Sequence, residues 1–186
     1  DQPIYNEDHT KLVFFNGEIY NYREMRTELI ALGHDFKTDS DTETILHAYE
    51  EWGKEVVTKL RGMFVFVIYD LQTKQLFGAR DFFGIKPLYY TTLADGTFMF
   101  SSEIKTFMRH PEFKPELNKT SLKSFMMNQY NDLQETFFKG VFRFPAGHYF
   151  TYQDGQLDIE KYWDMSFNPS NLSFEEEVAK IDAAVE

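Results

Sequence analysis

The fold is decided by the stretch Met63-Phe64-Val65-Phe66-Val67-Ile68-Tyr69-Asp70, in which every residue before the final aspartate is apolar or aromatic. A strand that is apolar on both faces is typical of the centre of a sheet that is covered on both sides. We therefore predict a central buried strand over residues 63–70. The chain has 186 residues, which is enough for one domain with a core that needs no disulfides or metals.

Apolar runs and turn signals predict further strands around this one. Residues 11–16 form a predicted strand that Asn16-Gly17 ends, and residues 76–80 and 88–92 are predicted neighbours of the central strand. Asp-Gly pairs indicate tight hairpins. One pair, at 95–96, joins residues 88–92 to 97–101, and the other, at 154–155, joins residues 148–152 to 156–162.

Helical spacing of apolar residues predicts the remaining elements, over residues 22–32, 56–60 and 120–128 and in a helix that opens at Ser40. Asn21 is the predicted N-cap of the first helix, and Gly33 is placed just past its end. Ser40 and Glu43 form a predicted capping box at the start of the second helix. Hairpin-linked strands with paired helices place the chain in the α+β class.

The last segment changes in character. Residues 1–165 form one predicted domain, and residues 166–173 form a polar linker that contains a proline. Helical spacing of Phe174, Val178, Ile181 and Val185 then predicts an amphipathic helix within residues 174–186. We expect this to be the first helix of a second domain that lies beyond the chain.

Composition excludes several functional classes. The chain has 19 basic and 30 acidic residues and a net charge of −11, whereas a nucleic-acid-binding protein needs a basic face. It has no cysteine, which excludes a disulfide framework, a thiolate zinc site and an internal thiol nucleophile. It shows neither a signal-like leader nor an apolar run of membrane-spanning length. We expect no membrane partner and a cytoplasmic location.

Metal-binding patterns are also weak in the sequence. The five histidines show no paired spacing of the kind that metal sites use. Asp39, Asp41 and Glu43 imitate the start of a calcium loop, but the sixth position of that loop would be Thr44 where the turn requires glycine. No metal ligand is therefore predicted.

Two short segments could carry chemistry. The Asn16 side-chain amide and the Gly17 backbone N–H are two donors that could converge on one oxygen, as an oxyanion hole requires, although Asn-Gly is also a common turn pair. Asp41 stands at a predicted helix start, where it could cap the helix or receive a substrate ammonium. A third segment, Arg80-Asp81 with residues 83–90, is interpreted as a structural loop.

Six motifs occur in a fixed order along the chain. They are FNGEIYN at 15–21, SDTE at 40–43, RGMF at 61–64, RD with FGIKPLYY at 80–90, SEIK at 102–105 and PAGHY at 145–149. The ordered set covers residues 2–164 and strongly resembles the glutamine amidotransferase domain of glutamine-hydrolysing asparagine synthetases. The resemblance implies an N-terminal-nucleophile hydrolase fold, which is an αββα four-layer sandwich with mostly antiparallel sheets.

The resemblance also implies roles for individual residues. Asn16 and Gly17 match the family's oxyanion-hole pair, which consists of a side-chain amide and a backbone N–H. Glu18 matches a residue that lines the glutamine pocket, and Asp41 matches the aspartate that pairs with the α-ammonium of glutamine. No catalytic role is carried over to residues 80–90 or 102–105.

In that family an N-terminal cysteine attacks the glutamine side-chain amide, and water then releases glutamate. The ammonia passes to a synthetase domain of the same chain, which uses ATP and Mg²⁺ to activate aspartate. The cysteine, and the arginine that grips the glutamine carboxylate, match no residue here, so we expect both to precede Asp1 together with the first strands of the sandwich.

The implied partners are therefore glutamine, the synthetase domain and, as is common in the family, a second copy in a homodimer. No cofactor is expected for these 186 residues themselves, and we expect them to lack glutaminase activity alone. An amidotransferase with a different ammonia acceptor and a non-catalytic scaffold domain remain open alternatives, because the acceptor is chosen by the synthetase domain and a scaffold needs no nucleophile.

Overall fold

The computed structural model describes residues 2–130, 133–167, 169 and 172–185. The strands are β1 (Ile4–Tyr5), β2 (Lys11–Ile19), β3 (Gly62–Asp70), β4 (Leu76–Arg80), β5 (Tyr89–Thr92), β6 (Phe98–Ser101), β7 (Phe142–Arg143), β8 (His148–Gln153) and β9 (Gln156–Lys161). The helices are α1 (Tyr22–Ala31), α2 (Asp41–Trp52), α3 (Val56–Lys59), α4 (Lys119–Asn128) and α5 (Phe174–Val185), and short 3₁₀ turns span Gly53–Glu55 and Ile104–Arg109.

The strands form two antiparallel sheets. A six-stranded sheet has the order β1-β2-β3-β4-β8-β9, and a three-stranded sheet has the order β6-β5-β7. Both predicted Asp-Gly hairpins are confirmed, as β5–β6 and β8–β9. The expectation that residues 88–92 neighbour the central strand is wrong, because β5 lies in the second sheet and β3 pairs with β2 and β4.

The central strand β3 is confirmed, and its two faces supply two different cores. One face packs against helices α1 and α2, through Phe64, Phe66 and Ile68. The other face packs against the three-stranded sheet, through Val65 and Val67. Because each face meets its own apolar layer, the strand shows no alternation of polar and apolar residues.

Strand β2 continues through Asn16 and Gly17 to Ile19, so the expectation that this pair ends the strand is wrong. The reason is a close approach between neighbouring backbones. A Cβ atom on Gly17 would lie 2.1 Å from the Met63 carbonyl oxygen, and one on Gly62 would lie 2.1 Å from the Glu18 carbonyl oxygen. The two glycines therefore let β2 and β3 pair closely where any side chain would separate them.

The helix starts differ in part from the sequence expectation. Asn21 makes no side-chain cap to α1, because its side chain instead joins the Lys59 carbonyl (2.9 Å) and the Arg61 N–H (2.8 Å). Ser40 does cap α2, with its Oγ accepting from the Glu43 N–H at 3.2 Å. The second hydrogen bond of a capping box, from the Ser40 N–H to the Glu43 carboxylate, is missing. The Glu43 carboxylate accepts instead from the backbone N–H groups of Lys37 and Thr38.

Replacing Ser40 by alanine is expected to lower the free energy of unfolding by about 1 kcal/mol, because α2 loses its N-cap. The buried face of α2 is part of the core, so a less stable α2 makes the folded protein less stable. The matched control is Ser173→Ala. Ser173 forms a complete capping box with Glu176 at the start of α5, but none of the α5 residues that the structure describes is buried. Urea denaturation of both variants is the measurement, and an equal loss for Ser173→Ala would contradict this account.

The side chains of Arg80 and Asp81 stabilise the loop between β4 and β5. Asp81 is buried, and its carboxylate accepts from the backbone N–H groups of Phe64, Phe83, Ile85 and Lys86 at 2.9–3.3 Å. The Arg80 guanidinium donates to the carbonyls of Lys86, Gly84 and Phe144. The two side chains thus hold the loop that leads from β4 to β5 by its backbone groups.

The end of the chain is partly described. The predicted linker includes residues 168, 170 and 171, which lie outside the described residues, whereas the predicted terminal helix is present as α5. Phe174, Ile181 and Val185 on this helix are exposed. None of the helices within the described ranges is both long and apolar enough to cross a membrane.

Candidate functional site

The predicted oxyanion-hole residues lie at the end of β2 that approaches α2. Side chains alternate between the two faces of a strand, and Phe14 and Asn16 share the face that looks toward the second sheet. The Asn16 amide Nδ2 donates to the Ser102 Oγ, just after β6, at 3.1 Å. Glu18 is two residues further along the same face and is exposed.

The backbone N–H of Gly17 points to the open edge of β2. The Phe15 N–H donates to the Gln2 side-chain oxygen at 2.7 Å, and the Ile19 N–H donates to the Asp41 Oδ2 at 3.1 Å. Both of these N–H groups therefore point away from β3. Alternate N–H groups of a strand point the same way, so the Gly17 N–H lies between these two bonded groups and faces the same edge.

Asp41 is the first residue of α2 and is half-buried. Because Ser40 caps the helix, the Asp41 carboxylate is not needed as a cap and reaches across to the end of β2. The contact with Ile19 joins residues 22 positions apart. The fold thus brings the two segments that sequence analysis singled out to one place, with a carboxylate beside a row of backbone N–H donors.

A cleft of about 360 Å³ opens between the two sheets beside Asn16. It is lined mainly by apolar residues, namely Phe14, Phe15, Val65, Val67, Leu88 and Phe100, with Gln2, Asn16, Ser101 and Ser102 at its polar positions. Of the four predicted site residues, only Asn16 lines this cleft. Gly17 and Asp41 lie at the strand edge next to it, and Glu18 is exposed on the Asn16 face.

Two residues at this site were not predicted to be part of it. Ser102 fixes the Asn16 amide, and the Gln2 side chain pairs with both backbone groups of Phe15, at 2.7 and 2.8 Å. Ser102 is 86 residues from Asn16 in the chain, so no local spacing links them. The only sequence signal for Ser102 is its place in the SEIK motif.

The predicted α+β fold class is confirmed, because two antiparallel sheets are present and helices pack on the six-stranded one. A solved structure of glutamine phosphoribosylpyrophosphate amidotransferase from Bacillus subtilis, complexed with ADP and GMP, matches with a TM-score of 0.59 at 20% identity. The match covers 91% of this chain and 33% of that one. At this identity the likeness establishes the fold alone.

The chain belongs to the glutamine amidotransferase domain family, whose model matches residues 1–163. Curated relatives include asparagine synthetase [glutamine-hydrolyzing] 1 of Bacillus subtilis, which is 40% identical over 185 residues, and that of Zea mays, which is 51% identical over 105 residues. These matches cover 99% and 56% of this chain but 29% and 18% of the relatives. The chain therefore spans less than a third of the length of the first of these proteins.

Proposed function

We propose that this chain forms the oxyanion hole and glutamine pocket of the glutaminase domain of an asparagine synthetase. In this function glutamine is hydrolysed to glutamate, and the ammonia passes to a synthetase domain that amidates aspartate. The observation that carries the proposal is the meeting of the Asn16 amide, the Gly17 N–H edge and the Asp41 carboxylate at the end of one strand.

Asn16 and Gly17 would stabilise the oxyanion that forms when a nucleophile adds to the glutamine side-chain carbonyl. The Asn16 amide has two N–H groups, and its bond to Ser102 employs one of them, which leaves the second for the substrate. Pairing with β3 fixes the backbone at Gly17. Donors that are positioned before the reaction stabilise developing charge without having to reorganise.

Asp41 would bind the α-ammonium of glutamine. Its Oδ2 accepts from the Ile19 N–H at 3.1 Å, which orients the carboxylate, and a carboxylate has further lone pairs for a second donor. Glu18 would line the same pocket from its exposed position on β2. A charge-assisted hydrogen bond to an ammonium is stronger than a neutral one, so Asp41 would select an amino acid over a simple amide.

The remaining parts of the reaction are proposed to lie in other regions of a longer protein. The sequence has no cysteine, so the attacking thiol would come from a preceding segment. It also has no glycine-rich phosphate loop, so ATP and Mg²⁺ would be bound by the synthetase domain. We propose that residues 1–165 are the glutaminase domain, 166–173 a linker and 174–186 the first synthetase helix, in a cytoplasmic homodimer.

A chimera with the Bacillus subtilis relative tests the proposal. In it, this chain replaces the matching 185 residues of that synthetase, and the rest of the relative is kept, including its own N-terminal residues. We expect the chimera to release glutamate from glutamine and to make asparagine. Asparagine synthesis with ammonium but no glutamate release would overturn the proposal in favour of a non-catalytic scaffold.

Asp41→Asn in this chimera is expected to raise KM for glutamine by about 10- to 100-fold with a smaller change in kcat, because a hydrogen bond to a charged group contributes about 1.5–3 kcal/mol. Asparagine retains an acceptor oxygen for the Ile19 N–H, so the local backbone is preserved. Steady-state kinetics of glutamate release is the measurement. An unchanged KM would remove Asp41 from the glutamine pocket.

A further inference from the structure

Two histidines and a glutamate that are distant in sequence meet on the helical side of the six-stranded sheet. Glu7 lies between β1 and β2, His34 lies between α1 and α2, and His47 lies within α2. One ligand atom from each lies within 4.8 Å of the other two. The absence of paired histidine spacing in the sequence is therefore no guide here, because a turn between two helices brings residues 34 and 47 together.

The distances suit one shared ion. The His47 Nδ1 lies 3.5 Å from the Glu7 Oε1 and 3.1 Å from the Glu50 Oε2, and the rings of His34 and His47 are 5.1 Å apart at their centroids. Two ligands that are each about 2.1 Å from a tetrahedral zinc ion stand about 3.4 Å apart. The His47 Nδ1 and the Glu7 Oε1 are thus already spaced as two ligands of one ion would be, and a ring nitrogen of His34 lies within 4.8 Å of a ligand atom of each of these two residues.

The surroundings of the His47 Nε2 agree with an ion bound at the Nδ1 of the same ring. Its Nε2 is buried and has no hydrogen-bond partner among the described residues, and the Glu43 Oε1 is 3.7 Å away. An imidazole that binds a metal through Nδ1 carries its proton on Nε2, and metal-bound histidines commonly direct that proton at a carboxylate. Glu43 occupies this position and is itself fixed by the N–H groups of Lys37 and Thr38.

The charge around His47 is strongly negative. Glu7, Glu43 and Glu50 face its ring, and Glu51 lies 3.3 Å from the His34 Nε2. The surroundings therefore attract positive charge, which either a proton or a divalent cation can supply.

We propose that Glu7, His34 and His47 bind a divalent transition-metal ion of the zinc class. Two imidazoles with carboxylate oxygens are a ligand set that zinc accepts, whereas calcium and magnesium prefer oxygen ligands alone. The ion would cross-link the β1–β2 loop, the α1–α2 connection and α2. It would thereby hold in place the helix that begins with Asp41.

The test uses the untagged chain with zinc chloride as the probe. Isothermal titration is expected to show one zinc ion per chain, and Co²⁺ is expected to give the visible absorption band of a tetrahedral site. Glu7→Gln and His34→Ala should each weaken zinc binding by at least about 10-fold. Glu24→Gln and His110→Ala, at positions outside the cluster, are the matched controls and should leave the affinity unchanged.

The two variants also separate loss of a ligand from loss of the fold. Glu7 is at an exposed position, so Glu7→Gln should retain the circular-dichroism spectrum of the unmodified chain even if His34→Ala does not. The proposal is overturned if the unmodified chain shows no saturable zinc binding, or if Glu7→Gln binds zinc as tightly as the unmodified chain does. His47 would then be an imidazolium that is ion-paired with Glu7 and Glu50.

Discussion

Asn16→Ala in the chimera is expected to lower kcat for glutamine hydrolysis by about 100- to 1000-fold, since removal of one oxyanion donor costs about 2.7–4 kcal/mol. The loss should fall on kcat because the donor acts on charge that is present only in the transition state. Asparagine synthesis from ammonium should be unchanged in the same variant. This second activity shows that the chimera is folded, which a hydrolysis assay alone would not.

Two further variants sharpen the Asn16 result. Ser102→Ala removes the group that holds the Asn16 amide at 3.1 Å, so we expect a smaller loss of kcat than for Asn16→Ala. Asn128→Ala, at an exposed position of α4, is the matched control and should behave like the parent chimera. If Asn16→Ala retains the parent kcat, Asn16 is not an oxyanion donor.

Asp81→Ala is expected to lower the free energy of unfolding by about 3–5 kcal/mol, which is a large share of the 5–15 kcal/mol that is typical of a domain. The substitution leaves four backbone N–H groups without their acceptor, and the buried Arg80 guanidinium loses a neighbouring negative charge. Asp81→Asn, which has one acceptor oxygen, is expected to lose about half as much.

The measurement is urea denaturation of these variants and of the control Asp158→Ala, analysed with one common m-value. Asp158 is exposed on β9 and interacts with Gln156, so its removal should change stability by less than about 0.5 kcal/mol. A midpoint for Asp81→Ala that is no lower than that for Asp158→Ala would show that the loop between β4 and β5 holds its shape without the carboxylate.

The elements that sequence analysis predicted correctly are those whose signal is local. The β3 stretch is apolar at successive positions, and the Asp-Gly pairs determine hairpins within a few residues. Ser40 is a cap because its partner, the Glu43 N–H, is three residues away. In each case the residues that decide the structure are neighbours in the chain, so a pattern is enough.

The predictions that were wrong concern residues whose structure is decided by partners that are distant in the chain. Asn16-Gly17 has the composition of a turn, and only the pairing of β2 with β3, more than 40 residues later, makes it strand. Asn21 has the composition of a helix cap, but its side chain is engaged by Lys59 and Arg61. The resemblance to a known family marked Asn16, Gly17 and Asp41 as a site, whereas local patterns alone left a turn and a cap as alternatives.

The paired glycines of β2 and β3 also limit how this domain can vary. A side chain on Gly17 would strike the backbone at Met63, and one on Gly62 would strike the backbone at Glu18. A collision with a side chain can be relieved by a smaller neighbour, but every residue type has the same carbonyl oxygen. No second substitution nearby can therefore rescue a change at either position. Combinatorial libraries of this domain should retain both glycines however freely the surrounding core is repacked.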